Sequence, residues 1–504
     1  MKIIESIKKY ASTDRIAIIC EGEKLSYRDL NDYSEAIAVY LKSIHGDENI
    51  PAVVYGNKEN MMMPCMIGAL KSGRAYVPID TSFPIERAKA VIEEVKPKVL
   101  FNFGEDVEFE DVIVINEKKL KYLIKEYSDQ SISSENWVKE DENAYILFTS
   151  GSTGKPKGVQ ISSDNLDSFV DWMSPCLKVD GSEKVMMNQA AYSFDLSVTS
   201  IYPGLVNGAT LFSISKKVLA DYKLLFNELS KSNMSVWVST PSFAGVCLSD
   251  TSFNQEMMPN LESMIFIGEV LPKNVAKELI ERFPKIRVIN GYGPTEATVG
   301  VSVNDITLEH IEDEVSLPVG YPMDNCRIKI VDEDGIEVKD GEKGEIIIIG
   351  PSVSKGYFNN KEKTDEVFYV DEINNVKHRA YKTGDIGYMN EGRIYYSGRV
   401  DFQVKLNGYR IEIEDIENNL RKVDNIKNAI VMPIYKNDKI AYLKGIVQLK
   451  EKNELSNIKN GTLIKKELSK YLPQYMIPRN VTVIDEFPMN TNGKIDRKKL
   501  MAEL

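Results

Sequence analysis

Histidine is scarce in this 504-residue chain: His45, His310 and His378 are the full set. The five cysteines (Cys20, Cys65, Cys176, Cys247, Cys326) lie far apart and form no CxxC pair. A zinc site needs clustered Cys or His ligands, so that class is excluded. Scattered thiols predict reduced cysteines and a cytoplasmic setting. Long apolar runs are missing as well. None approaches the ~20 residues that cross a bilayer, and the longest, Met61 to Leu70, is broken by Pro64 and Gly68. The amino-terminal MKIIESIKKYASTD mixes Lys and Glu into its apolar pattern. That predicts an amphipathic helix and not a secretory h-region, so no membrane insertion is expected. Positive charge is in deficit, and a net charge of −12 argues against nucleic acid as a partner.

The chain is too long for one hydrophobic core, which predicts two or more domains. Apolar, β-branched runs recur at Arg15–Cys20, Ile50–Tyr55, Lys98–Phe101, Asp111–Ile115, Thr210–Ile214 and Ser235–Val238. Helical patterns at Tyr27–Ser43, Ile85–Val95 and Ala220–Ser230 lie between them. This alternation predicts an α/β body with largely parallel sheet. After about residue 315, short strands at Arg327–Asp332, Gly344–Ile349 and Arg393–Tyr396 predict a small, mainly β part. From Asp401 the pattern returns to α+β, with a charged helix at Glu412–Val423. The expected organisation is a core over 1–398, a linker at 399–401 and a small α+β domain over 402–504. From Asp401 onward, 19 Lys and Arg face 14 Asp and Glu, a net +5 that leaves −17 on the rest. Such a tail either favours an acidic partner or is an ordinary solvated surface.

Phe148–Gln160 reads FTSGSTGKPKGVQ. Four hydroxyl residues (Thr149, Ser150, Ser152, Thr153), three glycines (Gly151, Gly154, Gly158) and two lysines (Lys155, Lys157) follow an apolar strand, Ala144–Phe148. Backbone N–H groups, hydroxyls and ammonium groups can then converge on phosphate oxygens; the bland alternative is a surface turn. It is not a Walker A loop, since the glycine spacing differs and Pro156 stands at the Ser/Thr position.

TSGSTGKPKG resembles the signature loop of the adenylate-forming superfamily, which includes acyl-CoA synthetases, luciferases and amino-acid adenylation enzymes. LSYRDL (Leu25–Leu30), LKSGRAYVPID (Leu70–Asp80), GYGPTEAT (Gly291–Thr298), YKTGDIGY (Tyr381–Tyr388), GRVDFQVKLNGYRIE (Gly398–Glu412) and NGKIDR (Asn492–Arg497) follow in the superfamily's order. The resemblance spans essentially the whole chain and implies a large core with a small mobile C-terminal lid. It implies ATP and Mg²⁺ as cofactors. ATP is expected to contact Thr149, Ser150, Gly151, Ser152, Thr153, Gly154, Lys157, Asn290, Gly291, Tyr292, Thr295, Asp385, Arg399 and Lys494. Glu296 is the implied Mg²⁺ ligand, with Thr149 or Thr153 nearby; one carboxylate plus phosphates is ordinary for Mg²⁺. Tyr292 matches an aromatic that packs on adenine, though core packing explains it nearly as well. Asp385 matches an aspartate that accepts from both ribose hydroxyls, a role suited to an acceptor-only carboxylate; alone it would read as a turn residue. Lys494 matches a catalytic lysine that bridges the substrate carboxylate and the α-phosphate, where a placed cation stabilises the transition state. Its alternative is a solvated tail lysine. Asp401 matches the hinge about which the small domain turns between two half-reactions.

In AAYSFDLSV (Ala190–Val198), Asp195 matches the carboxylate that pairs with a substrate ammonium; its alternative is a helix N-cap. The implied side-chain pocket comprises Leu196, Thr199, Val238, Ile265, Ile267, Gly268, Gly291, Val299 and Gly300. It is apolar and excludes charged side chains. With STPSFAGVCL, GEVLP and LPQYMIPR, the chain resembles the family of D-alanine:carrier-protein ligases of teichoic-acid biosynthesis. Two departures stand out. That family usually carries Cys and Thr where Ile267 and Gly291 stand, which leaves the small amino acid and its chirality open. The implied acceptor is the phosphopantetheine thiol of a separate carrier protein, since no carrier serine motif follows Lys494. The alternatives are a loading enzyme for another small amino acid in nonribosomal peptide synthesis, an acyl-CoA synthetase, and a non-catalytic relative.

Overall fold

The computed structural model describes all residues except 47, 106, 152–155, 180–182, 313–315, 374, 401–402, 437–438, 452, 489–496, 498–499 and 501–504, and only the backbone of 45, 373 and 439. Lys494, Ser152, Thr153, Gly154, Lys155 and the expected hinge residue Asp401 therefore lie outside the described residues. The chain divides into two compact units. One comprises Met1–Thr81, Ile92–Thr149 and Lys157–Asp401; the other comprises Ser82–Val91, Ser150–Pro156 and Phe402–Leu504.

The larger unit contains three sheets. In the first, the strands Ile113–Asn116, Val99–Asn102, Ala52–Gly56, Tyr76–Asp80 and Asn143–Thr149 run parallel, and Lys157–Ser162 closes one edge antiparallel. The second has nine strands. Its parallel centre runs Arg287–Tyr292, Ser263–Phe266, Val236–Ser239, Val185–Asn188, Thr210–Ser213 and Ile16–Cys20. Burial on both faces explains the near-continuous apolar runs of Ala52–Gly56 and Tyr76–Asp80, every residue of which is buried. The third sheet is antiparallel, built from Arg327–Val331, Gly344–Ile349, Val376–Asn390, Phe368–Ile373 and Arg393–Arg399. It is the small β part that the sequence predicts.

Local signals set the helix starts. Ser26 and Asp29 form a reciprocal capping box at Tyr27–His45, and Ser162 and Asn165 form another at Ser163–Cys176. Thr240 caps Pro241–Leu248, with Pro241 in the first turn. A continuous apolar cluster joins residues of the first two sheets. Within it the hydroxyls of Tyr76 and Tyr202 lie 2.8 Å apart, fully buried.

The smaller unit holds the hairpin Gln403–Leu406/Tyr409–Glu412 and a three-stranded sheet of Ile426–Lys436, Lys439–Leu449 and Asn480–Ile484. The helices Ile413–Lys422 and Asn457–Leu468 contribute to its separate core. Arg87 pairs with Asp415 inside this unit at 3.3 Å.

Among the described residues no helix is long and apolar enough to cross a membrane, and no group of three His, Cys, Asp or Glu side chains is placed to hold a metal.

Candidate active site

Parallel strands present their carboxyl ends on one edge, and the loops leaving that edge are where α/β sheets build sites. Thr149, Asn188, Ser239, Ile267 and Gly291 all stand at or just beyond such ends.

Thr295 opens the short 3-10 turn Thr295–Ala297, and its hydroxyl donates to Asp195 Oδ2 at 2.5 Å. Asp195 sits at the N-cap of Leu196–Val206 yet makes no side-chain cap hydrogen bond. The capping explanation for this aspartate therefore fails. Its carboxylate accepts from Thr295 instead.

Glu296 is fully buried. The Tyr357 hydroxyl donates to its Oε1 at 2.8 Å, and Lys157 Nζ lies 5.3 Å from the centre of the Tyr357 ring. One buried carboxylate suits a Mg²⁺ ion that takes its other ligands from phosphates and water. Thr149 pairs with Lys157 across the strand edge, and its hydroxyl reaches the Lys157 carbonyl at 3.5 Å. Ser150 and Gly151 belong to the smaller unit. There Ser150 Oγ donates to the Arg410 carbonyl at 3.0 Å and accepts from Glu412 N–H at 3.2 Å.

The expected ribose group is assembled within the larger unit. Arg399 Nη1 lies 2.5 Å from Asp385 Oδ1, and Tyr292 OH donates to Asp385 Oδ2 at 2.6 Å. Arg399 Nη2 also donates to the Thr383 carbonyl, and the Thr383 hydroxyl accepts from Asp385 N–H. Burial, then the neighbouring Asp385 charge, pushes the Tyr292 phenol well above its ordinary range. Tyr292 therefore stays a neutral donor that orients the aspartate. Asn290 Nδ2 donates to the Pro318 carbonyl, while its buried Oδ1 has no hydrogen-bond partner among the described residues. An orphaned acceptor on this edge fits a nucleotide base offering an N–H donor.

Leu196, Val238, Ile265, Ile267 and Val299 share one apolar cluster, with Trp172 packed against it. A Cβ built on Gly291 would meet Ile267 Cγ1 at 2.8 Å, and one on Gly300 would meet Ile267 Cδ1 at 3.4 Å. The missing side chain at 291 thus makes room for the isoleucine at 267. Gly268 has φ +100°, a conformation that favours glycine. The Thr199 hydroxyl is fully buried without a hydrogen-bond partner among the described residues. Thr298 and Val299 take φ +56° and +73°, which is costly for β-branched residues. Thr298 Oγ1 donates to the Ser352 carbonyl, and Val301 N–H to the Tyr292 carbonyl, on either side of that turn.

Sequence reasoning missed Tyr357, Trp172 and Lys58. Tyr357 reaches Glu296 from 61 residues away, a distance no local pattern spans.

The AMP-binding enzyme model matches residues 5–358, and the AMP-binding enzyme C-terminal domain model matches 415–494. A D-alanine--D-alanyl carrier protein ligase of Bacillus cytotoxicus is 45% identical over 507 residues, covering 100% of both chains. The protein of that name from Bacillus anthracis is 44% identical, again over 100% of both. Among solved structures, the Vibrio cholerae adenylation domain AlmE in complex with glycyl-adenosine-5'-phosphate superposes with TM-score 0.82 at 20% identity, covering 100% of this chain and 96% of that one. An artificially fused adenylation-PCP di-domain from Klebsiella oxytoca gives TM-score 0.83 at 22% identity, covering 95% and 93%.

Proposed function

This chain belongs to the AMP-binding enzyme family, and from that premise we propose that it activates D-alanine with ATP and transfers it to the phosphopantetheine thiol of a separate carrier protein. The reading is supported by the full-length likeness to D-alanine--D-alanyl carrier protein ligases. The observation that carries it is the Thr295–Asp195 hydrogen bond. It puts a carboxylate suited to an amino group against the motif that bears Glu296.

In the first half-reaction a D-alanine carboxylate oxygen attacks the α-phosphorus of ATP. A P–O bond to the bridging oxygen breaks, and pyrophosphate leaves with that electron pair. Asp195 holds the substrate ammonium, and the apolar walls around Ile267 admit a methyl group and reject charge. Asp385, oriented by Tyr292 and Arg399, accepts from the ribose hydroxyls. Asn290 Oδ1 faces the base. Glu296, with Tyr357 on one oxygen, would hold Mg²⁺, which when bound neutralises phosphate charge. Lys494 supplies the cation that bridges the reacting carboxylate and phosphate. In the second half-reaction the carrier thiol gives its proton to water, its sulfur attacks the acyl carbon, and the acyl C–O bond to phosphate breaks as AMP leaves with that electron pair. Asp401 serves as the hinge between the two. The setting is the cytoplasm, where ATP and reduced thiols coexist.

The test is direct loading. The purified chain with ATP, Mg²⁺, D-alanine and a phosphopantetheinylated D-alanyl carrier protein is expected to add one alanyl group to the carrier, read by intact mass. Turnover confined to free coenzyme A with a plain carboxylic acid would reject the proposal.

A further inference from the structure

Lys58 follows the strand Ala52–Gly56 and, with Lys71, is one of two buried lysines among the described residues, at 3% exposure. No carboxylate among the described residues pairs with it within 4 Å. An enclosed ammonium without an ion-pair partner is expensive, so its contacts indicate what it holds. Both go to one segment. Lys58 Nζ donates to Asn188 Oδ1 at 2.7 Å and lies 4.0 Å from the centre of the Tyr192 ring. The first is a charge-assisted hydrogen bond and the second a desolvated cation–π contact.

Asn188 relays the contact. With its oxygen taken by the ammonium, its amide nitrogen donates to Tyr192 OH at 3.0 Å and to Ser213 Oγ at 2.9 Å. All four residues are buried. Asn188 ends the strand Val185–Asn188, and Tyr192 lies midway between it and Asp195. Lys58 is itself fixed from behind. Its backbone is left-handed at φ +69°, and the preceding Asn57 donates Nδ2 to Asp80 Oδ2 at 2.6 Å. The ammonium thus ties the end of one sheet to the loop that leaves the other.

We infer that Lys58 is a positioning residue for amino-acid recognition: through Asn188 and Tyr192 it holds the loop 189–195 so that Asp195 meets the substrate ammonium. This rests on the amine-anchor reading of Asp195 and goes beyond it by naming what sets the anchor in place. Asp195 does not cap its own helix; its carboxylate accepts from Thr295, and this loop carries its backbone.

ATP–pyrophosphate exchange with the full chain at pH 6.5, below the point of about 7 at which burial lets Lys58 lose its proton, tests the inference, titrating D-alanine at saturating ATP and ATP at saturating D-alanine. Lys58→Met keeps the side-chain shape and removes the charge. It is expected to raise the D-alanine KM roughly tenfold and leave the ATP KM within about twofold. Lys58→Gln, which can still donate to Asn188 Oδ1, is expected to recover part of that loss. Tyr192→Phe keeps the ring but loses the Asn188 bond, and covers the case in which Lys58→Met does not fold. It is expected to raise the D-alanine KM about threefold, non-additively with Lys58→Met. Asp195→Asn in the same assay separates the two readings. If it leaves the D-alanine KM unchanged, the anchor reading falls and this inference with it. If it raises that KM while folded Lys58→Met and Tyr192→Phe do not, or raise both KM values equally, only the role of Lys58 is overturned.

Discussion

The hydroxyl of Thr295 donates to Asp195 Oδ2 at 2.5 Å across 100 residues of chain, joining a carboxylate fit for an amine to the motif that carries Glu296. Removing this donor while keeping the side chain's shape is a clean perturbation. Thr295→Val is expected to raise the D-alanine KM about ten- to a hundredfold, the worth of roughly 1.5–3 kcal/mol for one hydrogen bond to a charged group. Steady-state exchange at saturating ATP checks it. An unchanged KM would mean that the bond does not orient Asp195.

Ile267 and Gly291 form a compensating pair. A Cβ at 291 would come within 2.8 Å of Ile267 Cγ1, so Gly291→Thr alone is expected to lower activity at least tenfold by overpacking. Ile267→Cys alone opens a cavity and costs less. The double variant is expected to recover activity close to the parent, with a coupling of about 1–3 kcal/mol between the sites. Additive losses would contradict the compensation.

Tyr292 and Arg399 both engage Asp385. Tyr292→Phe keeps the ring and removes one donor, and is expected to weaken ATP binding about three- to tenfold without changing the D-alanine KM. Isothermal titration with ATP distinguishes this from a loss of folding.

Lys58 predicts a pH-dependent stability. Burial pushes its ammonium down to about 7, against the pull of Cys20 and Asp80. Below pH 7 both folded and unfolded chains hold that proton, and the group adds no slope. Between pH 7 and the ordinary lysine range only the unfolded chain holds it, so stability rises with pH by about 1.4 kcal/mol per unit from this group. The thiols of Cys20, Cys65, Cys176, Cys247 and Cys326, all raised chiefly by desolvation, oppose this above pH 9, so the useful window is pH 7–8.5. Glu59 and Tyr192, both raised chiefly by burial, also face this region. Denaturant unfolding of the parent and of Lys58→Met across that window is expected to differ in slope; parallel curves would refute the shift.

Much of the scaffold was legible because parallel strands buried on both faces leave apolar runs. Gly344–Ile349 and Ile85–Val95 fall at the bounds their sequences predict. The site was legible where a motif is contiguous: Glu296 and Thr295 share one turn, and Asp385 and Arg399 are register partners on adjacent strands. What stayed hidden was assembled by topology. Lys58 reads as an ordinary surface residue in a Gly-Asn-Lys-Glu turn, and only the meeting of two sheet edges buries it against Asn188. Tyr357 sits in a loop whose pairing with Val159 no periodicity encodes. The exchange of bulk between positions 267 and 291 was visible as two departures, but that one side chain occupies the other's space is a fact of cross-strand packing.

The central claim, selective adenylation of D-alanine, is tested most directly by amino-acid-dependent ATP–pyrophosphate exchange with D-alanine, L-alanine, glycine, serine, proline, β-alanine and a short fatty acid. The account predicts the highest kcat/KM for D-alanine, lost in Asp195→Ala. A fatty acid or β-alanine turned over as well as D-alanine, or exchange indifferent to Asp195, would contradict it.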